Sequence, residues 1–328
     1  MEENAVVEIV RIDFARRPVV TYCQSMETVN VVEGFAPFRE WQTWYRVTGD
    51  LNSGPTPLVV AHGGPGCSHD YVLALAQLAD RGRPVVHYDQ VGGGRSTHMP
   101  EKGGDFWTVD LFLDELENLL VHLGINDRYF LLGQSWGGML GAEHGIRRPA
   151  GLKALVISNS PASMALWASE AKVLRGQLDP EVEAALDRHE AAGTIDDPEY
   201  LAAQKVYYDL HVCRVVPNPP EVLRTTELLD EDPTVYHLMN GPNEFFCIGT
   251  LTVRDHWSVV DEVHKITAPT LLASGRFDEA TPATMQPFFD NIPDVRWEIF
   301  ENSSHMPFVE EPDRYLDVVE GFLAKYDQ

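Results

Sequence analysis

Lysine and arginine are scarce in this sequence. The 328-residue chain has 25 of them against 50 Asp and Glu, a formal net charge of −25. A surface this acidic repels phosphate backbones and anionic headgroups, so neither nucleic acid nor an anionic membrane is expected as a direct partner. Cysteine is also rare. Cys23, Cys67, Cys213 and Cys247 lie far apart with no CxxC pair, which argues against a disulfide framework and against a zinc site. No run approaches the roughly 20 apolar residues that span a bilayer. The first residues, MEENAVVEIV, carry glutamate where a signal peptide places Lys or Arg, so the expected location is cytoplasmic. What remains is ordinary core-forming material, 44% hydrophobic and 23% charged. That composition excludes intrinsic disorder.

From Val29 to Tyr45 the sequence reads as short β segments. Apolar runs of strand length follow at Leu58–Ala61, Val85–Tyr88, Tyr129–Leu132 and Ala154–Ser158. Between them, Tyr71–Leu78, Leu111–Leu123 and Met139–Ile146 space their apolar residues as helices do. Short buried strands alternating with helices predict an α/β fold built on a mostly parallel sheet covered on both faces. The alternation stops after Ser158. Residues 161–250 turn helical, acidic and proline-punctuated, and strand-like runs resume at Thr270–Ala273 and Arg296–Phe300 before an amphipathic helix at Pro312–Tyr326. The expected organisation is a core of residues 1–160 and 251–328, with a helical lid, 161–250, inserted between its halves.

The sharpest motif is GQSWGG, Gly133–Gly138, where the run YFLL ends and a helix of small residues begins. A strand, then Gly-x-Ser-x-Gly, then a helix holds a serine on a tight turn with its hydroxyl exposed above the sheet. The competing reading is a glycine-rich turn whose serine caps the helix. A serine nucleophile needs a histidine base and an acid to orient it, in the chain order Ser, Asp, His, with each partner just after a strand. TLLASGRFDEATP supplies Asp278 and VRWEIFENSSHMPFVEEP supplies His305. His62 and His69 precede the serine, His144 lies in the helix after it, and His211, His237 and His256 fall in or beside the lid. Ser135, Asp278 and His305 are therefore the expected catalytic residues.

Acyl transfer builds negative charge on the carbonyl oxygen, and two N–H donors must already face it. HGGPGCSHD, His62–Asp70, follows the strand LVVA. A glycine-rich loop there presents one donor and the residue after the nucleophile presents the other, which points to the amides of Gly64 and Trp136. A tight turn that needs glycine only for its shape is the competing reading. YDQVGGGRS, Tyr88–Ser96, lacks the Lys-Ser/Thr ending of a phosphate-binding loop. Asp89 and Arg95 in it are expected to brace the oxyanion loop.

Together HGGPGxSHDY, YDQxGxGRS, GQSWGG, GPNEF, FDEATP and SSHMPFxEEP resemble the prolyl aminopeptidase (proline iminopeptidase) branch of the α/β hydrolases. That branch also contains amino acid amide hydrolases and deaminoacylating amidohydrolases. The resemblance runs from about residue 29 to the C-terminus. It implies an eight-stranded α/β-hydrolase sheet and carries the binding of the substrate's free amino group onto Glu244 and Glu279. Independently, a buried glutamate is costly until a cation pairs with it. The alternatives are a solvated loop acid for Glu244 and, for Glu279, an acid favoured by a helix N-terminus. The chain has Phe277 and Gly93 where members often have Tyr and Cys or Asn, and Gly34–Asp50 looks more like the amide hydrolases.

The expected activity is serine hydrolysis of the amide bond after a free N-terminal residue, proline or a small apolar one, with no metal or cofactor required. The expected partner is a small molecule or short peptide with a free α-amino group. Two other readings stay open. One is an esterase or lactonase whose lid aromatics Trp167, Phe245, Phe246 and Trp257 enclose an apolar acyl group, and the other is a non-enzymatic small-molecule receptor.

Overall fold

The computed structural model describes residues 29–327. Its strands are β1 (Val31–Phe38), β2 (Trp41–Thr48), β3 (Leu58–Ala61), β4 (Val85–Tyr88), β5 (Tyr129–Gln134), β6 (Leu152–Ser158), β7 (Thr270–Gly275) and β8 (Val295–Phe300). They form one eight-stranded sheet in the order β1-β2-β4-β3-β5-β6-β7-β8. Strands β3 to β8 run parallel, and β2 is antiparallel to both of its neighbours.

Helices α1 (Val109–His122) and α2 (Trp136–Ile146) lie in the first half of the fold. Between β6 and β7 come α3 (Met164–Arg175), α4 (Pro180–Ala192), α5 (Pro198–His211), α6 (Pro220–Glu231), α7 (Thr234–Met239) and α8 (Thr250–Val253). The chain closes with α9 (Pro282–Asn291), α10 (Pro307–Glu310) and α11 (Pro312–Leu323). This is the expected α/β-hydrolase architecture with a helical insertion.

Every residue of β3 and β4 is buried, and alternation along the strands divides them between two cores. Val59, Ala61, Val86, Tyr88 and Leu131 pack with α1 and α2. Leu58, Val60, Val85, Phe130 and Leu132 pack with α11 and the Asp70–Arg81 segment. A smaller third core lies within the insertion, where Leu174, Leu186, Tyr200, Tyr207 and Phe245 meet. Pro180, Pro198 and Pro220, expected only as breaks, each open a helix. Proline suits that position because the first-turn N–H has no intrahelical partner.

One expected helix takes a different form. Asp70–Arg81 is a run of 3₁₀ turns, and its buried Val72, Leu75 and Leu78 recur at the three-residue repeat of that helix. A spacing of three satisfies either helix type, so the sequence pattern did not separate them. The Tyr71 amide donates to Thr225 Oγ1 at 3.1 Å, which fastens this segment to α6 of the insertion. The final helix also stops earlier than expected, with a short 3₁₀ turn at Ala324–Tyr326. No helix among the described residues is long and apolar enough to cross a membrane.

Candidate active site

Ser135 sits between β5 and α2 with φ 57° and ψ −121°, in a region that non-glycine residues avoid. The chain passes from strand to helix through this one residue, a conformation that costs on the order of 1–3 kcal/mol. The glycines around it answer to close packing. A Cβ on Gly133 would lie 1.9 Å from the Gly137 carbonyl oxygen, and one on Gly137 would lie 2.1 Å from that of Ala61. Any larger residue would therefore force strand and helix apart.

Asp278 follows β7 and His305 follows β8, so parallel pairing of these strands carries both to the same end of the sheet as Ser135. His305 Nδ1 lies 2.7 Å from Asp278 Oδ1. That oxygen also accepts the Ala280 amide at 2.8 Å, and Asp278 Oδ2 accepts Asn159 Nδ2 at 2.6 Å. A carboxylate only accepts, so His305 must donate from Nδ1, leaving Nε2 as the basic nitrogen. Burial disfavours the imidazolium, yet the adjacent Asp278 carboxylate outweighs it and, with Glu244, holds His305 above the ordinary histidine value. Gln134 Nε2 donates to the His305 carbonyl at 3.1 Å, which ties the residue before Ser135 to the histidine backbone.

Gly64, Ser135, Trp136 and Glu244 line one cavity with Trp167, beside Met139 and Met164. Trp136 is the first residue of α2, where a helix leaves its amide without an intrahelical acceptor. The Gly63 amide is taken by the Tyr71 hydroxyl at 2.6 Å, while among the described residues the Gly64 amide donates to no protein group. Behind the loop, the guanidinium of Arg95 forks onto Asp70, with both contacts at 2.9 Å. Asp89 accepts the amide of His69 at 2.7 Å and that of Arg95 at 2.8 Å. The expected brace is thus present, but Arg95 chiefly holds Asp70, and its contact to Asp89 is longer, at 3.4 Å.

The two glutamates also converge. Tyr236 donates to Glu244 Oε1 at 2.6 Å, and Glu279 Oε1 lies 3.7 Å from His305 Nε2. Glu279 is 1% exposed and neither of its carboxyl oxygens has a hydrogen-bond partner among the described residues. It lies ahead of the first turn of α9, so the helix-terminus reading falls away. Burial pushes both carboxyls upward, and for Glu279 the neighbouring Glu244 and Asp278 add to the effect.

A profile described as the alpha/beta hydrolase fold matches residues 56–312. The chain is 39% identical over 299 residues to a proline iminopeptidase of Saccharolobus solfataricus, covering 90% of this chain and 93% of the relative. It is 36% identical over 301 residues to one from Clostridium botulinum, covering 91% of this chain and all of the relative. The chain belongs to the proline iminopeptidase family. Among solved structures it is similar to VinJ, with a TM-score of 0.88 at 56% identity, covering 90% of this chain and 99% of that one. The proline iminopeptidase of Mycobacterium smegmatis matches with a TM-score of 0.84 at 52% identity and the same coverage.

Several residues of this site escaped the sequence reading. Asn159, at φ 52°, orients Asp278, and Gln90 Oε1 accepts the Trp136 indole N–H at 2.8 Å. Tyr236 and Gln134 are the others. Gln90 and Gln134 lie inside the quoted glycine motifs, whose spacing assigns them no role, and Asn159, one position past β6, is brought to β7 only by sheet pairing. Of the four aromatics that the esterase reading names, Trp167 lines the cavity, Phe245 and Phe246 pack in or against the insertion's own core, and Trp257, past the insertion, is buried in the main core. Cys67, Cys213 and Cys247 are free thiols, and Cys23 lies outside the described residues. Burial pushes the Cys67 thiol up, which suppresses thiolate chemistry there. The metal-ligand types that gather among the described residues are His189, Asp197 and Glu199, at the α4–α5 junction, where Arg188 already pairs with Glu199 at 2.7 Å.

Proposed function

We propose that this chain is a serine aminopeptidase of the proline iminopeptidase type that hydrolyses the amide bond after an unblocked N-terminal residue. One observation carries the amine requirement: Glu279 is buried with both carboxyl oxygens unpartnered among the described residues, 3.7 Å from the basic nitrogen of His305. A buried acid in that state costs free energy until a cation meets it, and a substrate α-ammonium is a cation fixed next to the scissile carbonyl.

In this reading Ser135 Oγ attacks the carbonyl while His305 Nε2 takes its proton. Asp278 keeps Nδ1 protonated and stabilises the imidazolium that forms. The Gly64 and Trp136 amides hold the oxyanion. His305 then passes its proton to the departing amine, and a water activated by the same nitrogen cleaves the acyl-enzyme. Glu244 and Glu279 hold the ammonium throughout. Residues 161–250 act as the lid over a core of 29–160 and 251–327, the rest of the expected core, 1–28 and 328, lying outside the described residues. Among the lid aromatics only Trp167 reaches the cavity at Ser135, so Phe245, Phe246 and Trp257 do not supply the acyl wall on which the esterase reading rests. A cytoplasmic setting suits soluble aminoacyl substrates.

The test is a prolyl arylamide against its N-acetylated form. The free amine should be cleaved and the acetylated one left intact, and Ser135→Ala should abolish turnover. Equal rates on both would remove the ammonium anchor, and full turnover by Ser135→Ala would remove the nucleophile.

A further inference from the structure

A single hydroxyl connects the glycine loop, the nucleophile turn and the histidine loop. Tyr71, in the 3₁₀ segment after the glycine loop, is buried, and its ring packs against Phe308 with the centroids 5.9 Å apart. Its oxygen accepts the Gly63 amide at 2.6 Å and donates its proton to Gln134 Oε1. Gln134 Nε2 in turn donates to the His305 carbonyl at 3.1 Å. A backbone amide can only donate and a phenol has one proton, so the direction of every bond in this chain is fixed. Burial holds the Tyr71 phenol well above its ordinary value, and the donor therefore persists where His305 titrates.

Packing leaves no slack at this point. A Cβ added to Gly63 would lie 2.7 Å from the Tyr71 hydroxyl oxygen, 2.9 Å from Gln134 Oε1 and 2.9 Å from Ser135 Cβ. The loop that carries the Gly64 amide is thus pressed against Ser135 itself, with the hydroxyl at the contact. By taking the Gly63 N–H, the hydroxyl leaves the Gly64 amide as the next donor of the loop, which has no protein acceptor among the described residues. Tyr71 is anchored separately through its own amide, which donates to Thr225 Oγ1 at 3.1 Å.

We infer that Tyr71 is a positioning residue for the reaction: its hydroxyl holds the Gly64 amide, Ser135 and His305 in one frame, and it serves the transition state and not the binding of substrate. This rests on the proposed serine mechanism and adds to it a residue that does not line the cavity at Ser135. Glu244 and Glu279 make no hydrogen bond to this chain of groups among the described residues, so the hold on the substrate ammonium is independent of it.

Tyr71→Phe tests the inference, because it deletes the oxygen and keeps the ring against Phe308. With rates normalised to active sites counted by a fluorophosphonate, kcat on a prolyl arylamide should fall roughly ten- to a hundredfold, while KM changes by less than about twofold. Two inhibitors separate positioning from general damage. The boronic acid analogue of proline takes the Ser135 oxygen onto boron while the serine proton passes to His305 Nε2, and the tetrahedral anion that results faces the Gly64 and Trp136 amides. Pyrrolidine offers only the ammonium. The variant should lose boronate affinity in step with kcat/KM and keep the parent's affinity for pyrrolidine. Gln134→Met breaks the same chain at its next link and should repeat the pattern. An unchanged kcat per active site in either variant, or an equal loss of both inhibitors, overturns the inference. A parent enzyme that neither cleaves the arylamide nor binds the boronate overturns the proposed function instead.

Discussion

Asn159 Nδ2 donates to Asp278 Oδ2 at 2.6 Å, on the carboxylate oxygen opposite the one that faces His305. The same amide nitrogen lies 3.2 Å from the Ser304 carbonyl oxygen, and Asn159 Oδ1 accepts the Ser158 hydroxyl at 2.6 Å. One side chain past β6 thus fixes the acid after β7 and the turn before His305. Asn159→Gly is the informative replacement, because glycine tolerates the φ of 52° while removing the donor. A buried acceptor left unpaired costs about 1–3 kcal/mol. We expect kcat to fall roughly ten- to a hundredfold with KM little changed, as measured by steady-state kinetics on a prolyl arylamide.

The pH profile follows from the two partners of the reaction. His305 must be neutral to act as base, and Asp278 holds it above the ordinary histidine value. The acid limb of kcat/KM should therefore lie above about 6.5. The substrate must be an ammonium, and α-amino groups lose their proton at about 7.7–8.0, which sets the alkaline limb. The expected profile is a narrow bell between the two. Asp278→Asn should lower kcat by about 10⁴ and move the acid limb downward, because the charge that favours the imidazolium is gone.

Glu279→Gln should separate function from stability. Losing a charge-assisted hydrogen bond of about 1.5–3 kcal/mol should raise KM for free-amine substrates roughly ten- to a hundredfold. In the substrate-free protein the effect has the opposite sign. Burial raises the folded-state value of Glu279 above its ordinary one, so the group opposes folding increasingly as pH climbs past the ordinary carboxyl range. The Tm difference between Glu279→Gln and the parent should become more positive from pH 5 to pH 8. A flat difference would mean the carboxyl is not buried as described.

Glu115 offers a stability test away from catalysis. It is fully buried and accepts both the Thr43 hydroxyl, at 2.5 Å, and the Val91 amide, at 2.9 Å, through Oε1. Oε2 has no partner among the described residues, and burial pushes the carboxyl up to about 8. Its raised value makes folding stability fall as pH rises from about 4.3, the ordinary value, toward that point. Glu115→Gln should flatten the Tm–pH curve over this window, measured by thermal denaturation. An unchanged slope would assign the pH dependence to other groups.

How much was legible in advance varied with the kind of constraint. β3 and β4 run over Leu58–Ala61 and Val85–Tyr88, the boundaries expected from their apolar runs, because strands buried on both faces are mostly apolar, with His87 the one polar exception. Gly133, Ser135 and Gly137 were legible because a one-residue turn from strand to helix excludes side chains on either side. The 3₁₀ form of Asp70–Arg81 was not, since i+3 spacing serves two helix types, and the Arg95–Asp70 fork was not, since ion-pair choice depends on where loops end.

By itself the sequence determined the alternation of strands and helices, the order Ser135, Asp278, His305, and the acidity of the whole, because these follow from periodicity, local turn sterics and counting. Tertiary structure alone decided that Asn159 would steer Asp278, that Glu279 would be buried without a hydrogen-bond partner among the described residues, and that Glu244 would line both a small cavity and a larger one. Those relationships join residues far apart in the chain across neighbouring strands and an inserted helical layer, and no local pattern encodes a distance that only folding creates.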